Sequence, residues 1–185
     1  MNSAYLKWGF VGAVLVVMLP WWAVVHTRER VAREAIELYT PFAQPTMKLQ
    51  FRKDIRWDPQ GFLGRGRDVG FWDWSEKGVV LTPKGQNIFG DNGKEIAGDL
   101  IVGKRQVSAI KSVQPVGDKR EVVFFYTWSE FTDASQLFSK PPKKDQEYEA
   151  TATLTEKDGG WEVTSLTTPE YQRVMDILAA ETKHP

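Results

Sequence analysis

The alternation of apolar and charged positions sets the first 27 residues apart from the rest of the chain. Trp8–Val25 carries no charge, closed by Lys7 on one side and by His26, Arg28, Glu29 and Arg30 on the other. As a helix rising ~1.5 Å per residue it would reach ~27 Å, near the lower limit for crossing a bilayer core. Trp8 stands at one edge, and Trp21 and Trp22 near the other, where indole rings favour the headgroup layer. The pattern predicts an uncleaved transmembrane anchor bent near its far end by Pro20. A cleaved signal peptide would want small residues at its processing site, and Trp21-Trp22-Ala23 offers a bulky indole instead. A buried soluble helix has no need of aromatic edges.

Beyond the anchor, Val31, Ala35, Leu38 and Phe42 fall at i, i+4, i+7 and i+11, with Arg30–Glu34 and Arg33–Glu37 on the opposite side. This predicts an amphipathic helix over residues 28–39, stopped by Pro41 and Pro45. Thr46–Trp57 alternates Met47, Leu49 and Phe51 against Lys48, Gln50 and Arg52, a half-buried strand. Gly61, Gly64, Gly66 and Gly70 then give a G-x-x-G-x-G spacing that no helix pattern follows, so residues 61–78 read as an irregular loop rather than a phosphate cradle. Within it, Trp72 and Trp74 lie two apart, on one side of an extended chain.

Gly78–Leu81 reads as a short strand, and Thr82-Pro83 as the N-cap and first residue of a short helix reaching Phe89. Leu100–Val102 and Arg105–Val113 are strand segments. Glu121–Trp128 is apolar or aromatic at every second position on both faces, which predicts a central strand covered on both sides. Ser129–Gln146 reads as a surface connection with a helical turn at Asp133–Phe138. Tyr148–Leu154 and Trp161–Leu166 flank the turn Glu156-Lys157-Asp158-Gly159-Gly160 as a β-hairpin. Thr168-Pro169 opens a last helix that carries Tyr171, Val174, Met175 and Leu178 in one stripe.

Assembled, the elements predict an α+β protein in three parts. Residues 1–27 form a membrane anchor, 28–45 a juxtamembrane amphipathic helix and linker, and 46–185 a soluble domain. That domain would be a curved antiparallel sheet of about 4–6 strands with helices packed on one face. In architecture alone the layout resembles cystatin-like or NTF2-like domains.

Composition narrows the chemistry. Lys and Arg total 24, as do Asp and Glu, and no cysteine is present. Balanced, scattered charge argues against a nucleic-acid surface. The missing thiols remove disulfides, thiolate nucleophiles and sulfur-ligated metal centres. Only His26 and His184 could supply an imidazole, and each lies near an end of the chain, which argues against Ser-His-Asp catalysis and His-ligated metals. Asp54 and Asp58, Asp73 and Glu76, and Asp91 and Asp99 are the carboxylates that a hydrolase could pair. As turn residues they have a simpler reading, and no catalytic, cofactor or metal-binding residue is assigned.

The sequence thus favours a non-enzymatic, single-pass protein that meets lipid through Trp8, Trp21 and Trp22 and interacts with another envelope or membrane protein, or with its own copies. The second reading is a binding module for a small amphiphile or glycan, in a sheet–helix pocket walled by Trp72, Trp74, Tyr126 and Trp128. A carboxylate-dependent hydrolase is the third. Arg28, Arg30 and Arg33 after the span outnumber Lys7 before it, which by charge alone would place the domain in the cytoplasm. A short tail, one span and a sizeable domain is instead the layout of signal-anchored bacterial envelope proteins, and the expectation adopted is an extracytoplasmic domain.

Overall fold

The alternation of β1 (Thr46–Arg52) is realised as written, with Met47, Leu49 and Phe51 buried and their neighbours exposed. The structure, a computed structural model, describes residues 27–169. The predicted anchor, its Trp8, Trp21 and Trp22, and the final helix beyond Pro169 lie outside them. Among the described residues no helix is long and apolar enough to cross a membrane.

Residues 27–38 are helical (α1) and lead through Tyr39 into α2 (Thr40–Ala43) and β1. There follow α3 (Phe62–Asp68), β2 (Trp72–Ser75), β3 (Gly78–Leu81), α4 (Pro83–Gln86), β4 (Phe89–Asp91), β5 (Glu95–Ile101), β6 (Gly103–Val116) and β7 (Lys119–Phe131). A 3-10 turn at Asp133–Leu137 precedes the closing hairpin, β8 (Tyr148–Lys157) and β9 (Gly160–Thr167). All pairing is antiparallel. It makes three sheets, ordered β1-β5-β4, β2-β3 and β6-β7-β8-β9.

This corrects the predicted fold class. The protein is mainly β, built on three antiparallel sheets rather than on one curved sheet with helices along a face, and the cystatin-like or NTF2-like layout does not describe it. The difference arises between residues 58 and 103. That segment reads as an irregular loop followed by short elements at Gly78–Leu81, Pro83–Phe89 and Leu100–Val102, yet it folds into two short helices and four strands, with Trp72 packed into the same hydrophobic core as the rest of the described protein. One chain stretch then serves two sheets. β5 runs into β6 at Val102, whose N–H donates to the Pro45 carbonyl while its own carbonyl accepts from Thr132. Gly103 permits the change of direction, because a Cβ there would lie 2.3 Å from the Glu130 carbonyl oxygen.

Other elements shift for identifiable reasons. The buried stripe of α1 is Ala32 and Ile36, one position round from the predicted one, and Leu38 is 83% exposed. β7 does lie inside the four-stranded sheet, but only Val122, Phe124, Tyr126 and Trp128 are buried; its opposite face is half-buried. The Thr82 N-cap forms as the sequence implies, its hydroxyl accepting from the Gly85 N–H at 3.1 Å. The β8–β9 turn has positive φ at both Asp158 and Gly159, as a two-residue hairpin loop requires.

α1 and α2 are fixed to the four-stranded sheet. Ile36 and Phe42 are completely buried. Phe42 meets Phe124 and Tyr126 edge-on, with ring centroids 5.4 and 5.7 Å away. Arg33, placed outward by its sequence spacing, turns towards the sheet edge. Its guanidinium donates to the Val107 carbonyl at 2.5 Å and the Ser108 carbonyl at 3.3 Å, at a bulge in β6. An edge strand offers unpaired carbonyls, and Arg33 takes two of them.

Candidate functional site

Trp72 and Trp74 share a face of β2 by the pleat of the strand, yet they have opposite fates. Trp72 slides beneath α3, where it is completely buried and its indole N–H donates to the Leu63 carbonyl at 2.8 Å. Rings of Phe51, Phe62, Phe71 and Phe89 stand 5.2–6.3 Å from it. It is part of the hydrophobic core, not a wall open to a ligand. Trp74, past the end of that cover, is 37% exposed.

Tyr126 and Trp128 lie on the inner face of β7, buried to 0% and 2%. The Arg105 side chain from β6 is buried with them, its guanidinium carbon 5.2 Å from the Tyr126 ring centre and 4.6 Å from that of Trp128. Tyr148 stacks on Tyr126, and Phe131 on Trp128. A buried guanidinium over aromatic faces gains electrostatically from the ring quadrupoles. Of the four residues expected to line a pocket, three are therefore packed inside the protein, and they divide between two aromatic clusters.

Trp74 is placed by contacts that join separate parts of the chain. The Lys53 carbonyl accepts from Val79 at 2.9 Å, while the Lys53 N–H donates to the Lys94 carbonyl at 2.9 Å. These bonds stitch the β2–β3 hairpin to the sheet containing β1 and lay the following residues beside it. Trp57 arrives in that way against Trp74, centroids 5.3 Å apart and planes inclined at 44°. The Arg67 guanidinium, from the last turn of α3, covers the Trp57 ring at 5.1 Å. The result is a ladder of Arg67, Trp57 and Trp74 that ends at solvent. Neither Trp57 nor Arg67 is marked by sequence spacing, since 17 positions separate Trp57 from Trp74 and only the folded loop brings them together.

Two of the candidate carboxylates, Asp54 and Asp91, are held by cations. Asp54 takes two hydrogen bonds from Arg52, at 2.9 and 2.6 Å, and that contact lowers its pKa below the ordinary carboxylate range. Asp91 is likewise lowered, first by the Lys53 ammonium at 2.6 Å and then by the Gly93 N–H. A general acid needs the opposite shift. Among the described residues no three His, Cys, Asp or Glu groups are arranged to hold a metal ion.

The Asp91 contact has a consequence for stability. Its folded pKa is depressed, so the stabilisation is fully present above the unfolded carboxylate pKa, and is lost as pH falls through the lower folded value. Asp91→Asn should cost about 0.5–1 kcal/mol at pH 7, since the pair is partly exposed. The difference from wild type should close as pH falls below the ordinary carboxylate pKa of about 4. Urea unfolding at several pH values measures it; a difference constant down to pH 2 would remove the ion pair as its cause.

Comparisons with protein-family models, curated proteins and solved structures return no match to this chain.

Proposed function

We propose that this chain is a non-enzymatic, single-pass membrane-anchored domain, its folded part outside the cytoplasm, that interacts with another membrane or envelope protein. The observation that carries the reading is the junction. α1 is helical from residue 27, two positions after the uncharged Trp8–Val25, and is built into the core through Ile36 and the Arg33 bonds to β6. A flexible tether would let the domain sample many orientations above the bilayer. A helix that belongs to the fold holds one orientation, so the same surface is always presented to neighbours in the membrane. Preorganisation of that kind lowers the entropy cost of docking. The ionised, cation-held Asp54 and Asp91 and the chain's lack of thiols support a binding role over a catalytic one.

Two measurements test it. A phosphatase fused after Pro185 should be active, since that enzyme matures outside the cytoplasm; activity of a cytoplasm-only reporter at the same position would reverse the orientation. Photo-crosslinkers in the full chain at Glu34 and at Leu38 should give one adduct with a different membrane protein, and a crosslinker at the buried Ile36 should not. Adducts with the chain's own copies alone would replace the hetero-partner with a homo-oligomer.

A further inference from the structure

Trp74 is a large apolar side chain left at the surface with two other side chains spent on holding it still. Its backbone N–H donates to Asp73 Oδ1 at 2.8 Å, and it pairs across β3 with the fully buried Val79. Trp57 supports the ring from one side and Arg67 in turn supports Trp57. An isolated surface indole usually keeps its rotamer freedom and needs no explanation. One packed against a neighbouring ring has already lost part of that freedom, which is a cost that ligand binding would otherwise impose.

The surroundings define what such a ring would accept. The two segments that carry the indoles, residues 52–58 and 73–77, contain four basic and four acidic side chains. Arg67 and Asp68 on α3 add one of each, leaving the balance unchanged. A basic peptide or an anionic surface would be selected by an excess of one sign, and there is none here. What the rim does offer is charged donors and acceptors interspersed around an apolar face, with Asp73, Glu76 and Lys77 all exposed on the strand and turn that hold Trp74. Hydrogen bonds to such ionised groups are the strong ones. A pyranose ring is the complementary object. It is uncharged, its axial C–H groups form an apolar face that can lie on an indole, and its hydroxyls both donate and accept around the edge.

We propose that Trp74, supported by Trp57 and Arg67, is a surface platform for a neutral saccharide. The site is open rather than enclosed, so a single sugar ring should bind at about 1 mM and longer chains more tightly. It goes beyond the anchored-domain reading and depends on neither the anchor nor the protein partner.

The test uses the full chain in a zwitterionic detergent without a sugar headgroup. Tryptophan fluorescence is followed during titration with N-acetylglucosamine tetrasaccharide and with cellotetraose. A saturable change with at least one of them is expected. Trp74→Ala should weaken it at least tenfold, with circular dichroism at the titration temperature showing the variant still folded despite the lost contact with Trp57, and Trp74→Tyr should recover part of the affinity. Trp161→Ala, which removes an indole covered by Arg120 on another sheet, should bind as wild type does. The proposal is overturned if neither saccharide gives a saturable change, or if Trp74→Ala binds normally. It is equally overturned if the Trp74-dependent response comes only with tetralysine or with anionic phosphatidylglycerol vesicles. The orientation and crosslinking results do not involve Trp74, so the two readings can fail separately.

Discussion

Replacing Gly66 by alanine should destabilise the protein by about 3 kcal/mol, although the change puts the best helix former into a helix. Local propensity alone would make the substitution favourable by about 1 kcal/mol. Packing opposes it. A Cβ on Gly66 would lie 1.9 Å from Cζ2 and 2.2 Å from Cε2 of Trp72. Those atoms belong to a fully buried indole wedged among four phenylalanine rings, so the ring cannot swing aside without opening the core around it. Overpacking a core costs about 1–3 kcal/mol and sometimes more. Moving the indole also strains its bond to the Leu63 carbonyl, worth about 1 kcal/mol. In a chain of this size the unfolding midpoint should fall by roughly 6–12 °C. The two effects have opposite signs, so one calorimetric scan decides between them. An unchanged or higher midpoint would show that Trp72 does not rest on α3 as described.

Gly66 also marks the limit of what the chain's local pattern discloses. Strands whose faces alternate cleanly are readable: β1 from Met47, Leu49 and Phe51, although its partner β5 lies far along the chain, and the β8–β9 hairpin from its alternation and the turn between Glu156 and Gly160. A cap made by one side chain within its own turn, such as Thr82, is readable as well. The helix α3 is not. Phe-Leu-Gly-Arg-Gly-Arg-Asp has the composition of a loop; Gly66 is there because Trp72 must approach the helix backbone closely, and Gly64 because the Pro59 carbonyl does. That requirement comes from a residue outside the helix. The one-position error in α1 has a similar origin. Val31 and Leu38 fit an apolar stripe, but Phe42 belongs to α2, after a break at Tyr39, and its direction does not extend the line of α1.

The candidate site divides in the same way. Trp74 stands out as an aromatic two residues from another, and nothing local separates its fate from that of Trp72. The separation is made by α3, which covers one and ends short of the other. Trp57 and Arg67 become neighbours of Trp74 only because the Lys53 backbone bonds to both Val79 and Lys94. Residues whose relation is created by long-range backbone bonding leave no periodic signal, and the function-bearing surface is where such relations concentrate.

The second large effect is expected at Phe42, and it separates the fold of the domain from its attachment. Phe42→Ala should cost about 4 kcal/mol, within the range for emptying a fully buried aromatic site. The loss should not be uniform. Phe42 is the contact through which α2 meets Phe124 and Tyr126 on the central strand, whereas β7 keeps its pairing with β6 and β8 whatever happens there. Native-state hydrogen exchange on the full chain distinguishes a local from a global effect. In the wild type, amides of residues 31–38 should open with a free energy close to that of β7. In Phe42→Ala they should open at a distinctly lower free energy than β7, because only small contacts through Ala32 and Ala35, together with Ile36 and the Arg33 bonds, then hold the helix. If α1 already exchanges freely in the wild type, the helix is no rigid strut and the fixed presentation of the domain above the bilayer loses its basis. If α1 and β7 fall together in the variant, the helix is inseparable from the sheet, and the junction is stiffer than the contacts of Phe42 alone imply.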